Sequence, residues 1–101
     1  MPKNSDEAFS WFNKAAIQNY GEGQFYLGLW YFSERQDSVE ACKWFLAATT
    51  NNPAMGKHGF DLLELEKITL TNPELIEAQR RADTFLRTNP PSQESRKLNG
   101  L

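Results

Sequence analysis

Residues 21–53, GEGQFYLGLWYFSERQDSVEACKWFLAATTNNP, read as a helix, a short turn and a second helix. Apolar residues are almost continuous over residues 25–32, yet Leu27, Gly28 and Tyr31 keep the i, i+4 return of a helix face. A glycine inside a helix costs about 1 kcal/mol relative to alanine, so close approach of another backbone is the expected reason for Gly28. Residues 33–37, SERQD, are polar and suit a tight helix-to-helix turn, with Asp37 or Ser38 available to cap the second helix. In that helix Ala41, Trp44, Phe45 and Ala48 fall at i, i+3, i+4 and i+7, an amphipathic stripe of two large and two small side chains. Asn51, Asn52 and Pro53 end it, because a proline disfavours helix in the residue before it and suits the first turn of the next helix.

Much of the remaining chain echoes this unit. EAFSWFNKAA at residues 7–16 returns as EACKWFLAAT at residues 40–49, and one constant offset carries Ala8, Trp11, Phe12 and Ala15 onto Ala41, Trp44, Phe45 and Ala48. The step from Trp11 to Trp44 falls just short of the roughly 34 residues of tetratricopeptide-type repeats. Leu27, Gly28, Tyr31, Ala41, Phe45, Ala48 and Pro53 fall in the tetratricopeptide pattern, and the Trp-Phe-x-x-Ala core with GQFYLGLWYF resembles its Sel-one-like variant. Two departures stand out. The short SERQD turn replaces the Gly-rich loop usual in that variant, and Asp61 stands where the next copy would carry the equivalent of Gly28. The resemblance covers residues 6–86 and implies an all-α fold. Antiparallel helix-turn-helix repeats would stack as a short right-handed α/α superhelix of about five helices.

The flanking segments fit that scheme. Asn4, Ser5 or Asp6 caps a first helix expected to reach Asn19, which in the repeat register is the second helix of its unit. Phe9 and one flank of Trp11 are then expected to lie bare, and exposed aromatic surface of this kind marks a contact, either with further repeats or with another copy. A fourth helix runs from Pro53 to about Ile68 through Phe60, Leu62, Leu63 and Leu65, weakened in isolation by Gly56 and Gly59. Asn72 is the expected cap of a fifth, which reaches about Arg87 with Leu75, Ala78, Ala82, Phe85 and Leu86 inward. Glu77 with Arg81 and Asp83 with Arg87 are acid-before-base pairs on its outer side. Residues 1–88 are thus expected to form one repeat domain, and residues 89–101 a disordered tail.

Composition limits the chemistry. The 101 residues carry a net charge of −2 and 40% apolar side chains, enough for one modest core and without the basic footprint of a nucleic-acid binder or of a protein drawn to anionic membrane. A single cysteine, Cys42, rules out an internal disulfide, and one His with one Cys leaves too few soft ligands for a transition-metal site. Gly21, Gly23 and Gly28 lack the preceding strand and following lysine of a phosphate loop, so no cofactor is expected. No apolar run of transmembrane length and no signal-peptide stretch occur, which with the lone cysteine favours a soluble, cytoplasmic protein.

Two function classes remain. The only acid-base candidate is His58 with Asp61 one turn on, joined by Glu64 or Glu66; a small hydrolase would need them to converge, and a histidine among solvated acids is the simpler reading. Binding is the better-supported class. In tetratricopeptide-like arrays the first helix of each unit lines a concave groove, and the register carries this onto Glu22, Phe25, Leu29, Phe32 and Ser33, then Met55, His58, Leu62 and Leu65. The Lys, Asn and Arg with which some relatives clamp a peptide's terminal carboxylate are absent from these positions. The result is an apolar trough suited to a protein or peptide partner, the hydrophobic side of a helix or an extended segment, unless the same residues close as core. Homotypic association through the N-terminal edge is the alternative within this class.

Overall fold

The computed structural model describes residues 5–89, so Asn4, one of the three expected caps of the first helix, and the tail from residue 90 onward lie outside the described residues, while the other two, Ser5 and Asp6, are already within that helix. Among these residues five helices follow one another: α1 (Ser5–Ile17), α2 (Gly21–Trp30), α3 (Ser38–Asn51), α4 (Pro53–Leu65) and α5 (Asn72–Thr88). Among them, too, there is no strand, and no helix is long and apolar enough to cross a membrane.

The ends of these helices are set by local chemistry. Asp37 caps α3 by accepting the Glu40 N–H at 3.0 Å, and Asn52 caps α4 by accepting that of Met55. Residues 33–37 are less of a turn than expected. The helix runs on past Trp30 as a π-helical stretch, Tyr31–Arg35, and is closed by Gln36 in the left-handed region at φ 52°. α1 stops at Ile17 rather than Asn19, because Asn19 at φ 67° turns the chain while the N–H groups of Asn19 and Tyr20 return to the carbonyls of Ala16 and Ala15. α4 stops at Leu65, short of Ile68, through the same device at Lys67, φ 58°. The cap of α5 is Thr71, not Asn72. Thr71 Oγ1 accepts the Glu74 N–H and Glu74 Oε1 accepts the Thr71 N–H, a reciprocal pair that only the Thr-x-x-Glu spacing provides.

α3 is the central helix. It packs against α2, α4 and α5, while α1 packs on α2. Phe45, wholly buried, projects from α3 between α2 and α4, and a Cβ built on Gly28 would stand 2.5 Å from its ring. A Cβ on Gly59 would collide with the same Cδ1–Cε1 edge of that ring. The counterpart of Gly28 on α4 is therefore Gly59, not position 61, and neither glycine is a defect: each lets an aromatic ring lie against a helix backbone. Full burial of such a side chain stabilises by about 1.5–3 kcal/mol, more than the helix propensity one glycine forfeits. The helix crossings are close for the same reason. Gly23 meets Ala15, with a hypothetical Cβ 2.5 Å from that of Ala15, and Gly56 meets Thr49 in the same manner.

The two tryptophans that align in sequence part company. Trp44 is 4% exposed, with the Phe85 ring edge-on at 4.9 Å and Lys43 Nζ 4.1 Å above its face. Trp11 is 68% exposed, because α5 covers the outer side of α3 and no described helix covers α1 in that way. Phe9, expected bare, instead packs on Trp30 at 4.7 Å.

α5 is held against α3 and hardly meets α4. Ala78, Ala82 and Phe85 are buried as expected, but Leu75, near the α4 side, is 37% exposed. One anchor is ionic. Arg81 Nε binds Glu77 at 2.7 Å, as the i, i+4 spacing implies, and its NH1 reaches Glu40 on α3 at 2.9 Å, while Lys43 takes the other oxygen of Glu40 at 3.2 Å. Asp83 and Arg87 form no such pair among the described residues. The second anchor is a cluster of amides. Asn19 Oδ1 accepts from Gln24 Nε2 at 2.7 Å and from Asn51 Nδ2, Gln24 Oε1 accepts from Asn51 at 3.0 Å, and Asn19 Nδ2 donates to the Asn89 carbonyl at 2.7 Å. Gln24 is wholly buried and Asn19 nearly so, and the cluster ties the α1–α2 turn to the ends of α3 and α5.

Asn19 therefore does two separable things. Asn19→Gly keeps the left-handed turn and deletes the amide, which costs about 1–3 kcal/mol for buried partners left short of hydrogen bonds. Asn19→Ala adds roughly 1–2 kcal/mol of backbone strain. Urea denaturation should rank wild type above Gly above Ala, and equal stability of the two variants would remove the conformational part of the argument. Hydrogen bonds from Arg80 and then Arg81 hold the Glu77 carboxyl down to about 2, against an ordinary value of 4.5. A depressed folded-state pKa gives stability that is present above 4.5 and lost as pH falls toward 2. The wild-type melting temperature should therefore fall more steeply than that of Glu77→Gln across this window; parallel curves would show that the ion pairs contribute nothing.

Candidate partner-binding face

Glu22, Phe25, Leu29 and Phe32 form a stripe along α2 and its π-helical extension, and Met55, His58, Leu62 and Leu65 form one along α4. α2 and α4 touch, so the structure brings the two stripes side by side, with the Phe25 and His58 rings 6.4 Å apart. Burial is graded across the face. Phe25, Leu29, Phe32, Met55 and Leu62 are half-buried, whereas Glu22 and His58 are exposed and Leu65 is 76% exposed. Phe25, Leu29 and Phe32 pack against the cluster of Ala41, Phe45 and Leu63, and the Phe25 ring lies 6.0 Å from that of Phe45. The face is thus the roof of the Phe45 core. Its inner half is packing and its outer half is open, which places it between the trough and the closed core that the sequence left as alternatives. Ser33, at its edge, spends its hydroxyl on the Leu29 carbonyl at 2.9 Å.

His58 and Asp61 do not pair. Asp61 binds Lys57 at 2.9 Å, the neighbour one turn before it on the same helix, and His58 faces Phe25 instead. Among the described residues no three His, Cys, Asp or Glu side chains gather as they would around a metal ion. Cys42 is buried on α3, and burial pushes its thiol up to about 11, so it carries little thiolate at neutral pH.

Two concavities were not legible in the sequence. Between α3, α4 and the loop into α5, a groove of about 340 Å³ is lined by Cys42, Phe60, Leu63, Ile68, Leu70 and Leu75, among others; it exists because α5 leans on α3 and not on α4. A second, of about 310 Å³, lies where α1 meets the end of α2 and is lined by Asp6, Phe9, Trp30, Tyr31 and Arg35. The sequence signal for the latter was the density of aromatics around Trp30, in an apolar run too continuous for periodicity to assign its faces. Neither a family model, nor a curated protein, nor a solved structure matches the chain.

Proposed function

We propose that this chain is a protein-interaction module of the helical-repeat kind, a Sel-one-like relative of tetratricopeptide arrays, whose α2–α4 face receives the apolar side of a partner helix or extended peptide. The observation that carries this reading is the graded burial of that face. Phe25, Leu29 and Phe32 are held from below by the core, Met55 and Leu62 stand half-buried on the neighbouring helix, and Leu65 continues the row into solvent, leaving a partly desolvated surface that needs little reordering to bind. The repeat element of the reading is supported by two glycine-mediated crossings, Gly23 on Ala15 and Gly56 on Thr49, whose glycines stand at the same offset as Trp11 and Trp44. A binding role in place of catalysis is favoured because His58 and Asp61 turn to different partners.

A second reading, homotypic association, is favoured by one side chain. Trp11 occupies the sequence position equivalent to Trp44, but no described helix covers it as α5 covers Trp44, so a helix from another copy would complete it.

Peptides selected from a random display library against the chain should bind wild type and lose at least about tenfold on Leu65→Asp, which removes an exposed anchor and adds a charge. The far-UV circular dichroism of the variant should be unchanged; selected peptides that bind wild type and variant alike would move the site elsewhere. For the second reading, sedimentation velocity should show a concentration-dependent dimer that Trp11→Ser abolishes. A monomer at every concentration would dispose of it.

A further inference from the structure

The cavity between α1 and the end of α2 has aromatic walls and charged edges. The Trp30 and Tyr31 ring centroids are 5.2 Å apart at 90°. Phe9 lies 4.7 Å from Trp30 at 46° and 6.1 Å from Tyr31 at 85°. Rings set at such angles meet edge against face, and all three line the cavity, where the Arg35 side chain covers the ring of the otherwise buried Trp30. Burial, followed by the charges of Glu40 and Asp37, pushes the Tyr31 phenol above its ordinary value, so that ring stays neutral throughout the physiological range.

The chain already rests a cation on this wall. The Arg35 guanidinium carbon stands 5.2 Å from the Trp30 centroid, brought there by the π-helical stretch that ends α2, and Arg35 has no carboxylate partner among the described residues. Asp6, exposed at the first turn of α1, lines the same cavity and has no ion-pair partner among the described residues either. Three rings, a carboxylate unpaired among the described residues and a cation resting on a ring face are the features that recognise a weakly hydrated positive charge. A bare ammonium is a poor guest, because its tightly held water must be stripped away. A quaternary ammonium spreads its charge over methyl groups and loses little on entering.

We propose that this cavity is a recognition site for a quaternary alkylammonium group, and that Arg35 swings off Trp30 to admit it. The site is independent of the α2–α4 face, and the two readings can fail separately. The chemistry is shared by a small molecule such as choline and by a trimethylated lysine side chain, so both serve as probes.

NMR titration of the full chain with choline should shift the Trp30 indole resonance. The neutral isostere, with a tert-butyl group in place of the trimethylammonium, should bind about threefold to thirtyfold more weakly, the range expected of a cation–π contribution. Asp6→Asn should weaken choline binding severalfold and Arg35→Gln should strengthen it. Both residues are exposed, so folding of the variants is readily confirmed by circular dichroism. A peptide carrying trimethyl-lysine that binds more tightly than choline would identify a side chain as the source, and equal affinities would identify the head group alone. Equal binding of choline and its isostere, or no movement of the Trp30 resonance at saturating choline, would overturn the proposal. Leu65→Asp should leave the choline response unchanged.

Discussion

One aromatic ring held against two glycines governs the arrangement of the central helices. Phe45 reaches from α3 to both α2 and α4, and it can do so only because Gly28 and Gly59 present bare backbone to its ring. The ring fixes how near the three helices come and in what register, since protein interiors are packed too densely for it to move without its neighbours. Everything on the α2–α4 face depends on that placement. Phe25, Leu29 and Phe32 rest on the Phe45 cluster from above, so their outer edges form a surface that is apolar and firmly supported.

α5 obeys a different constraint. It lies along α3 without closing on α4, and its position is specified less by apolar matching than by two polar systems. Near its middle, Arg81 and Glu77 engage Glu40 and Lys43. At its end, the Asn89 carbonyl joins the amides of Asn19, Gln24 and Asn51. Partly exposed ion pairs of this kind contribute little each to stability, but the planar fork of Arg81, held between Glu77 and Glu40, is satisfied only in a narrow range of orientations. Buried amides are costly unless each finds its partners, and here they find them only with α1, α3 and α5 in this relation. The groove beside Cys42 and the exposure of Leu75 are the geometric remainder of that choice.

The surface that results has two separate regions of interest. One is the apolar roof of the Phe45 core, ending at Leu65; the other is the aromatic recess under Arg35. They share α2, whose continuation through a π-helical stretch supplies both Phe32 and Arg35 from five consecutive residues, Tyr31–Arg35. An ordinary α-helical turn there would rotate the later side chains relative to the earlier ones, so this local departure from regularity sets the relation between the two regions.

By itself the sequence determined the helices, the stripe of Ala41, Trp44, Phe45 and Ala48, a cap at Asp37 or Ser38, and the need for a close neighbour at Gly28, because each rests on local periodicity or on the chemistry of adjacent residues. Tertiary structure alone decided which glycine of α4 meets Phe45, since Gly59 and Asp61 differ in facing and not in any pattern a linear reading detects. It also decided the fates of Trp11 and Trp44, alike in sequence and opposite in burial. Trp44 is covered by Phe85 of α5, a partner remote along the chain, and no local rule reports a contact across that distance. The amide cluster belongs with these: Asn19 and Asn51 read singly as helix ends and Gln24 as one polar residue in an apolar run, and they acquire their common role only when three helix ends converge.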